Sequence, residues 1–167
     1  MRRDRLGTPP HRLGLVIDAA AACRFRIAVG DGRSTDQLVS AAGYAYAHSC
    51  VNSESFPTRP FGGPTTREIV LLEFDRDVAS EEAVLAASRR DLARPTYEDA
   101  LYFGIAHPDV QRDRPVVFLH DPWFGFFGRR DVICLWSNAG RRELGLEDYD
   151  SPWNPSYRFA FAEAPSR

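Results

Sequence analysis

Three side chains in the C-terminal half have the types a nucleophilic relay needs. His120 and Asp121 end one apolar segment, "PVVFLHDPW", and Cys134 lies in the next, "DVICLW". Adjacent strands can bring a thiol, an imidazole and a carboxylate together, so a small enzyme with a Cys134/His120/Asp121 site is one reading of this chain. Against it, Cys134 sits between Ile133 and Leu135, where a cysteine is most simply a small core residue made inert by burial.

Metal and phosphate chemistry find less support. His11, His48, His107 and His120 lack the i, i+4 spacing that puts two imidazoles on one helix face, and Cys23, Cys50 and Cys134 form no CxxC. "LEDYD" offers Glu147, Asp148 and Asp150, with Asn154 nearby, as oxygen ligands for calcium. It lacks the ordered spacing of an EF-hand loop, and a solvated turn is the simpler reading. "VGDGRS" has Gly30 and Gly32 but no following Lys-Ser/Thr, so it is not a phosphate loop. No metal and no cofactor is expected.

Aromatic residues carry the stronger signal. More than half of the Phe, Tyr and Trp residues, including all three tryptophans, fall between Phe118 and Phe161. Strand alternation sends Phe118, Phe159 and Phe161 inward. It does not account for "WFGFFG" at 123–128, because a loop has no core face to hide so many rings. Trp123, Phe124, Phe126, Arg129, Trp136, Asn138, Arg141, Tyr149, Trp153, Asn154 and Tyr157 together have the composition of a recognition surface: rigid rings, stacking guanidinium groups and amides. In "SPWNPSYRF", Pro152 and Pro155 would hold Trp153 and Asn154 at little ordering cost on binding. The competing reading is that Trp153 plugs one end of the sheet.

The elements that must position these residues follow from periodicity. "CRFRIAVGDG" alternates as a half-buried strand closed by a Gly-rich turn. "RSTDQLVSAAGYAYAHS" reads as a helix opened by a Ser34–Gln37 capping box, with Gly43 weakening its second half. "REIVLLEFD" is continuously apolar, as a central strand would be. Ser80, Glu81 and Glu82 open a helix through about Asp91, and Thr96 with Asp99 opens another that Pro108 stops, with His107 at its end. From Pro115 onward the chain reads as strands joined by aromatic loops. The order predicts a single α+β domain with a largely antiparallel sheet and helices. Its expected parts are a disordered lead over 1–12 and one domain over 13–167. That domain divides into a strand–helix part (23–50), a loop (51–66) rich in Pro and Gly, and a main part (67–164).

Bulk composition sets limits. The chain has 167 residues, 44% apolar and 26% charged, ordinary values for one globular domain. A net charge of −2 argues against a nucleic-acid partner. All 21 basic residues are arginine, which fits the codon bias of a GC-rich bacterial genome and leaves a surface of planar, stacking cations. The N-terminus imitates an export signal, but Asp18 interrupts its apolar run, and no segment approaches the about 20 apolar residues of a membrane span. The expectation is a cytoplasmic protein with three unpaired thiols and no membrane partner.

Two resemblances follow from these motifs. "CVNSESFP", "REIVLLEFDRDVASEEAV" and "RPTYEDALYFGIAHPDVQRDRPVVFL", with Trp153, Arg158 and Phe159 near the end, resemble a family of small bacterial proteins to which no activity is assigned. The likeness covers about residues 51–161. The C-terminal half, with Trp- and Asn-rich loops closing on an aromatic-Arg-Phe strand, also looks like the C-type-lectin-like fold. Bacteria use that fold in the variable proteins of diversity-generating retroelements. That resemblance implies a binding face built from loops at about 136–142 and 149–157. The function expected is therefore a non-enzymatic binding module for a protein or glycan ligand. The alternatives are the Cys134 enzyme and a structural or assembly subunit that buries its aromatic loops against a partner.

Overall fold

A computed structural model describes residues 23–59 and 63–164. The expected lead over 1–12 and the signal-like N-terminal segment lie outside the described residues. The elements in chain order are β1 (Arg24–Val29), α1 (Thr35–Ala42), β2 (Tyr46–Ala47), β3 (Thr65–Leu72), α2 (Ser80–Ser88), β4 (Leu92–Ala93) and α3 (Tyr97–Ala106). There follow α4 (Val110–Asp113), β5 (Val116–Phe118), β6 (Trp123–Phe124), a 3-10 turn at Phe126–Gly128, β7 (Arg130–Asn138), β8 (Arg141–Asp148) and β9 (Arg158–Glu163).

Among the described residues one sheet joins nine strands in an α+β domain. Its path is β1-β3-β9-β5-β7-β8-β2, with β4 added to β9 and β6 to β7. Pairing is antiparallel except at β5·β9 and β2·β8, which are parallel. The sheet is therefore mixed. Its two faces carry separate cores. Ile69, Leu71, Phe118, Ile133, Leu135 and Leu144 pack on one side with Leu38 of α1 and Leu101 and Phe103 of α3. Val70, Leu72, Val117, Val132, Cys134 and Phe161 pack on the other with Ala83 and Ala87 of α2 and with Tyr149 and Trp153. Strands covered on both faces have no polar side to show, which is why β3, β5 and β9 read as continuous apolar runs.

Local signals place most helix ends. Ser34 and Gln37 form the capping box of α1, and Thr96 and Asp99 that of α3, where the Asp99 carboxylate takes the Thr96 N–H at 2.8 Å. Asp99 is also held by Arg67 of β3, at 2.7 and 2.9 Å, which ties the start of α3 to the sheet. The first helix is shorter than its sequence suggests. It stops at Ala42 because Gly43 takes the left-handed conformation (φ 64°), and the next residues form β2 rather than another helical turn. Arg142 of β8 secures that ending: it donates to Ala42 O at 2.6 Å and to Gly104 O in α3, with its guanidinium 4.7 Å from the Tyr44 ring centre. The second helix starts where expected but is capped differently. Ala79 is its N-cap, and it ends at Ser88, short of Asp91.

Gly104 is required by this joint. A Cβ there would sit 1.9 Å from the Tyr44 hydroxyl, which is buried without a hydrogen-bond partner among the described residues. Gly104→Ala is expected to destabilise by about 1–3 kcal/mol through overpacking. Adding Tyr44→Phe removes the clashing oxygen and should restore most of that loss. Urea melts of the two single variants and the double variant check this; additive losses would show that the clash is not the cause.

Candidate functional site: an aromatic hairpin over an acidic pocket

β6 and β7 form a hairpin in which Trp123 pairs with Asp131 and Phe124 with Arg130. Its loop closes through Gly125 N–H to Arg129 O at 2.9 Å and Gly128 N–H to Gly125 O at 3.3 Å. Both Phe127 (φ 67°) and Gly128 (φ 73°) are left-handed, so the loop turns sharply and throws its rings outward. Phe124, Phe126 and Phe127 are 68, 80 and 108% exposed. Trp123 is different. Its ring packs on buried Phe56 with centroids 5.5 Å apart, which anchors the hairpin base to the core.

Beneath the hairpin lies a pocket of about 280 Å³ lined by His48, Cys50, Trp123, Phe126, Arg129 and Asp131, among others. Asp131 is its acid. The side chain is only 5% exposed, and Arg129 Nε lies 2.7 Å from Oδ1. That contact lacks hydrogen-bond geometry, so Oδ1 accepts no hydrogen bond among the described residues. Gly125 makes the space: a Cβ there would meet the Trp123 ring at 2.9 Å and Asp131 Oδ2 at 3.1 Å. Across the ladder Asp131 faces Asp148, so two carboxylates share this end of the sheet. On the other face, burial pushes the Glu147 carboxyl up, with Arg129 opposing and Asp131 and Asp148 adding to the rise. His48 Nδ1 accepts the Cys50 backbone N–H at 3.2 Å, which leaves the proton of the neutral ring on Nε2.

The expected recognition residues do not form one face. Trp123, Phe124, Phe126 and Arg129 lie together at the hairpin. Asn138 and Arg141 are exposed, but they flank the β7–β8 turn at the far end of β7, about 27 Å away along nine strand residues. Trp136 is half-buried over Gly145, with Nε1 3.1 Å from where a Cβ would stand. Asn154 is exposed, yet its amide oxygen closes a local turn by accepting the Ser156 N–H at 2.9 Å. Tyr157 is half-buried with its ring against Trp153.

Tyr149 and Trp153 are corrections: they are 2 and 3% exposed, core residues rather than a binding face. Trp153 pairs with Val78 through two backbone bonds of 2.9 and 3.0 Å, and its Nε1–H donates to Ser80 Oγ at 2.8 Å. Ser80 in turn donates to Tyr149 O at 2.6 Å, so its hydroxyl pins this segment instead of capping α2. The Tyr149 hydroxyl donates to Glu81 at 2.9 Å.

The Cys134/His120/Asp121 relay is overturned. Cys134 belongs to the core beneath α2, and burial drives its thiol far above the ordinary range. His120 lies on the opposite side of the sheet, edge-on to Phe56 and Tyr97. Its Nδ1–H donates to Asp121 O at 2.8 Å, and Nε2 accepts the Ile133 N–H at 3.0 Å. The imidazole thus completes the β7 ladder where β5 has ended. The Asp121 carboxylate is solvent-exposed, 3.7 Å from Arg94.

In the "LEDYD" stretch, Asp148 caps its own turn and Asp150 pairs with Arg130. Among the described residues no three His, Cys, Asp or Glu side chains are grouped to hold a metal, and no helix is long and apolar enough to cross a membrane.

His48, Cys50 and Asp131 were not among the sequence candidates. One signal for Asp131 exists: it shares the inward alternation of Ile133 and Leu135, so an acid stands where the strand pattern asks for an apolar residue. Nothing in the spacing marks His48 or Cys50. Comparison with known proteins finds no matching family model, no matching curated protein and no matching solved structure.

Proposed function

We propose that the protein is a non-enzymatic binding module whose contact surface is the β6–β7 hairpin, and that its ligand is another protein. The observation that carries this reading is the run of Phe124, Phe126 and Phe127, all outward on one short loop. Single exposed apolar residues are ordinary, whereas a contiguous cluster of rings in water is costly unless a partner covers it. The anchored Trp123 holds the loop in place before binding, which lowers the ordering cost. A protein suits the tip better than a glycan, because phenyl rings supply apolar contact without donors or acceptors. The C-type-lectin-like character of the C-terminal half belongs to the same proposal. It is supported by the aromatic loops and by the central place of the last strand, β9, but the contact surface moves from the 149–157 segment to the hairpin.

The test is a Phe126→Ser/Phe127→Ser double variant. Both side chains are exposed, so its unfolding free energy in urea should stay within about 0.5 kcal/mol of the parent's. In extracts of the source organism, a discrete protein should be retained by the parent and lost at least about tenfold by the variant. An identical set of bound proteins for both would overturn the reading.

A further inference from the structure

We infer that the pocket beneath the hairpin is a receptor for a guanidinium group, an arginine side chain of the partner segment that the hairpin engages. The inference rests on the binding reading above and names the chemistry of one contact within it.

Four observations converge on a planar cation. The Asp131 carboxylate is almost wholly buried, borders the cavity, and has one oxygen that accepts no hydrogen bond among the described residues. A buried carboxylate left short of donors is expensive, so a donor entering the cavity is favoured. The side chain that sits there now, Arg129, is itself a guanidinium, half-exposed and poorly aligned, with Nε 2.7 Å from Oδ1 but without hydrogen-bond geometry, so a better-aligned guanidinium can replace it on the carboxylate. Asp148 faces Asp131 across the ladder, while the neighbouring Arg130 is committed to Asp150, so acid exceeds available base at this spot. Trp123 and Phe126 line the pocket wall, and aromatic rings suit a flat cation better than a compact one.

Arg129 therefore acts as an internal stand-in. A partner arginine would take its place with both carboxylate oxygens in reach, and Arg129 would swing to solvent. The charge-neutral exchange costs little, and the gain is the pair of aligned, charge-assisted bonds that Arg129 does not make.

The experiment needs no identified partner. Nα-acetyl-arginine amide and its neutral counterpart Nα-acetyl-citrulline amide are titrated into the full chain, with the Trp123 indole N–H and the Asp131 amide followed by NMR. Saturable shifts for the arginine compound are expected, at least tenfold weaker for citrulline. Arg129→Gln should tighten binding several-fold by removing the competitor. Asp131→Asn should weaken it at least tenfold.

Equal affinity for citrulline would overturn the inference. So would unchanged binding by a folded Asp131→Asn, or no shift in an Arg129→Gln variant whose spectrum shows it folded; Arg129 is half-exposed, so this second variant keeps the test alive if Asp131→Asn does not fold. Failure here with the double-phenylalanine variant still losing its partner would remove the guanidinium contact and leave the hairpin reading in place. The reverse pattern would remove the hairpin reading.

Discussion

Trp153→Ala is expected to cost about 3–5 kcal/mol of stability, a large part of the 5–15 kcal/mol typical of a domain. The indole fills the space between β9 and the start of α2, with edge-to-face contacts to Tyr157 at 5.0 Å and Phe159 at 6.2 Å. Its removal leaves a cavity the sheet cannot close, because the surrounding strands are fixed by their ladders. It also leaves Ser80 Oγ without the donor it now accepts from. Trp153→Phe separates the two effects: it keeps most of the packing and should lose only about 1–2 kcal/mol from the missing hydrogen bond. Urea unfolding of both variants provides the measurement. A loss near zero for Trp153→Ala, combined with loss of partner binding, would return this residue to the recognition surface.

The second large effect is acid destabilisation through His120. Burial lowers its pKa from 6.5 to about 4, against the smaller upward pull of Asp121 and with Arg94 adding a further lowering. The unfolded imidazole takes up a proton near pH 6.5, whereas the folded one does so only near 4. Between those values the unfolded state binds more protons, so stability falls as pH drops through this window. The neutral form contributes in full above about pH 6.5. The loss reaches about 3 kcal/mol once the pH is below 4. The physical reason is visible in the ring's two bonds. Nε2 must remain an acceptor for the Ile133 N–H, and protonation would turn it into a second donor facing a donor. His120→Asn removes the titration, so subtracting its stability profile from the parent's should isolate a step between pH 6.5 and 4. Parallel profiles would show that the imidazole titrates normally.

Asp31 acts in a lower window. The Arg33 side chain holds its pKa at about 2, against the opposing effect of burial and with the Tyr102 hydroxyl and the Arg33 N–H adding to the lowering. Any contribution it makes disappears only as pH falls below 4, which keeps it separate from the His120 step.

The elements with strong local signals were legible. The capping boxes at Ser34 and Thr96, the apolar run of β3 and the inward rings of Phe118, Phe159 and Phe161 all depend on residues within a few positions of one another. The end of α1 was half legible: Gly43 signals it, but the competing Tyr and Ala residues after it are good enough helix formers that only the pull of Arg142 and the pairing of β2 with β8 decide the matter. His120 illustrates the opposite case. Its neighbour Asp121 and the nearby Cys134 suggest chemistry, yet the ring serves a backbone N–H thirteen residues away, which spacing alone does not reveal.

What the sequence by itself determined is the longer strands and helices, the α+β class, and the concentration of aromatic residues toward the C-terminus; the short strands β2 and β4 depend on pairing with distant segments. What only the tertiary structure decided is which of those rings are free. Trp153 and Phe127 are both aromatic residues in turns punctuated by Pro or Gly, and local pattern treats them alike. Trp153 is buried because Val78 and Ser80, more than seventy residues earlier, meet it from α2 and the segment before it. Phe127 is bare because the left-handed turn that joins β6 to β7 places its ring in solvent. Burial depends on contacts between segments distant in the chain, and periodicity records only what neighbours impose.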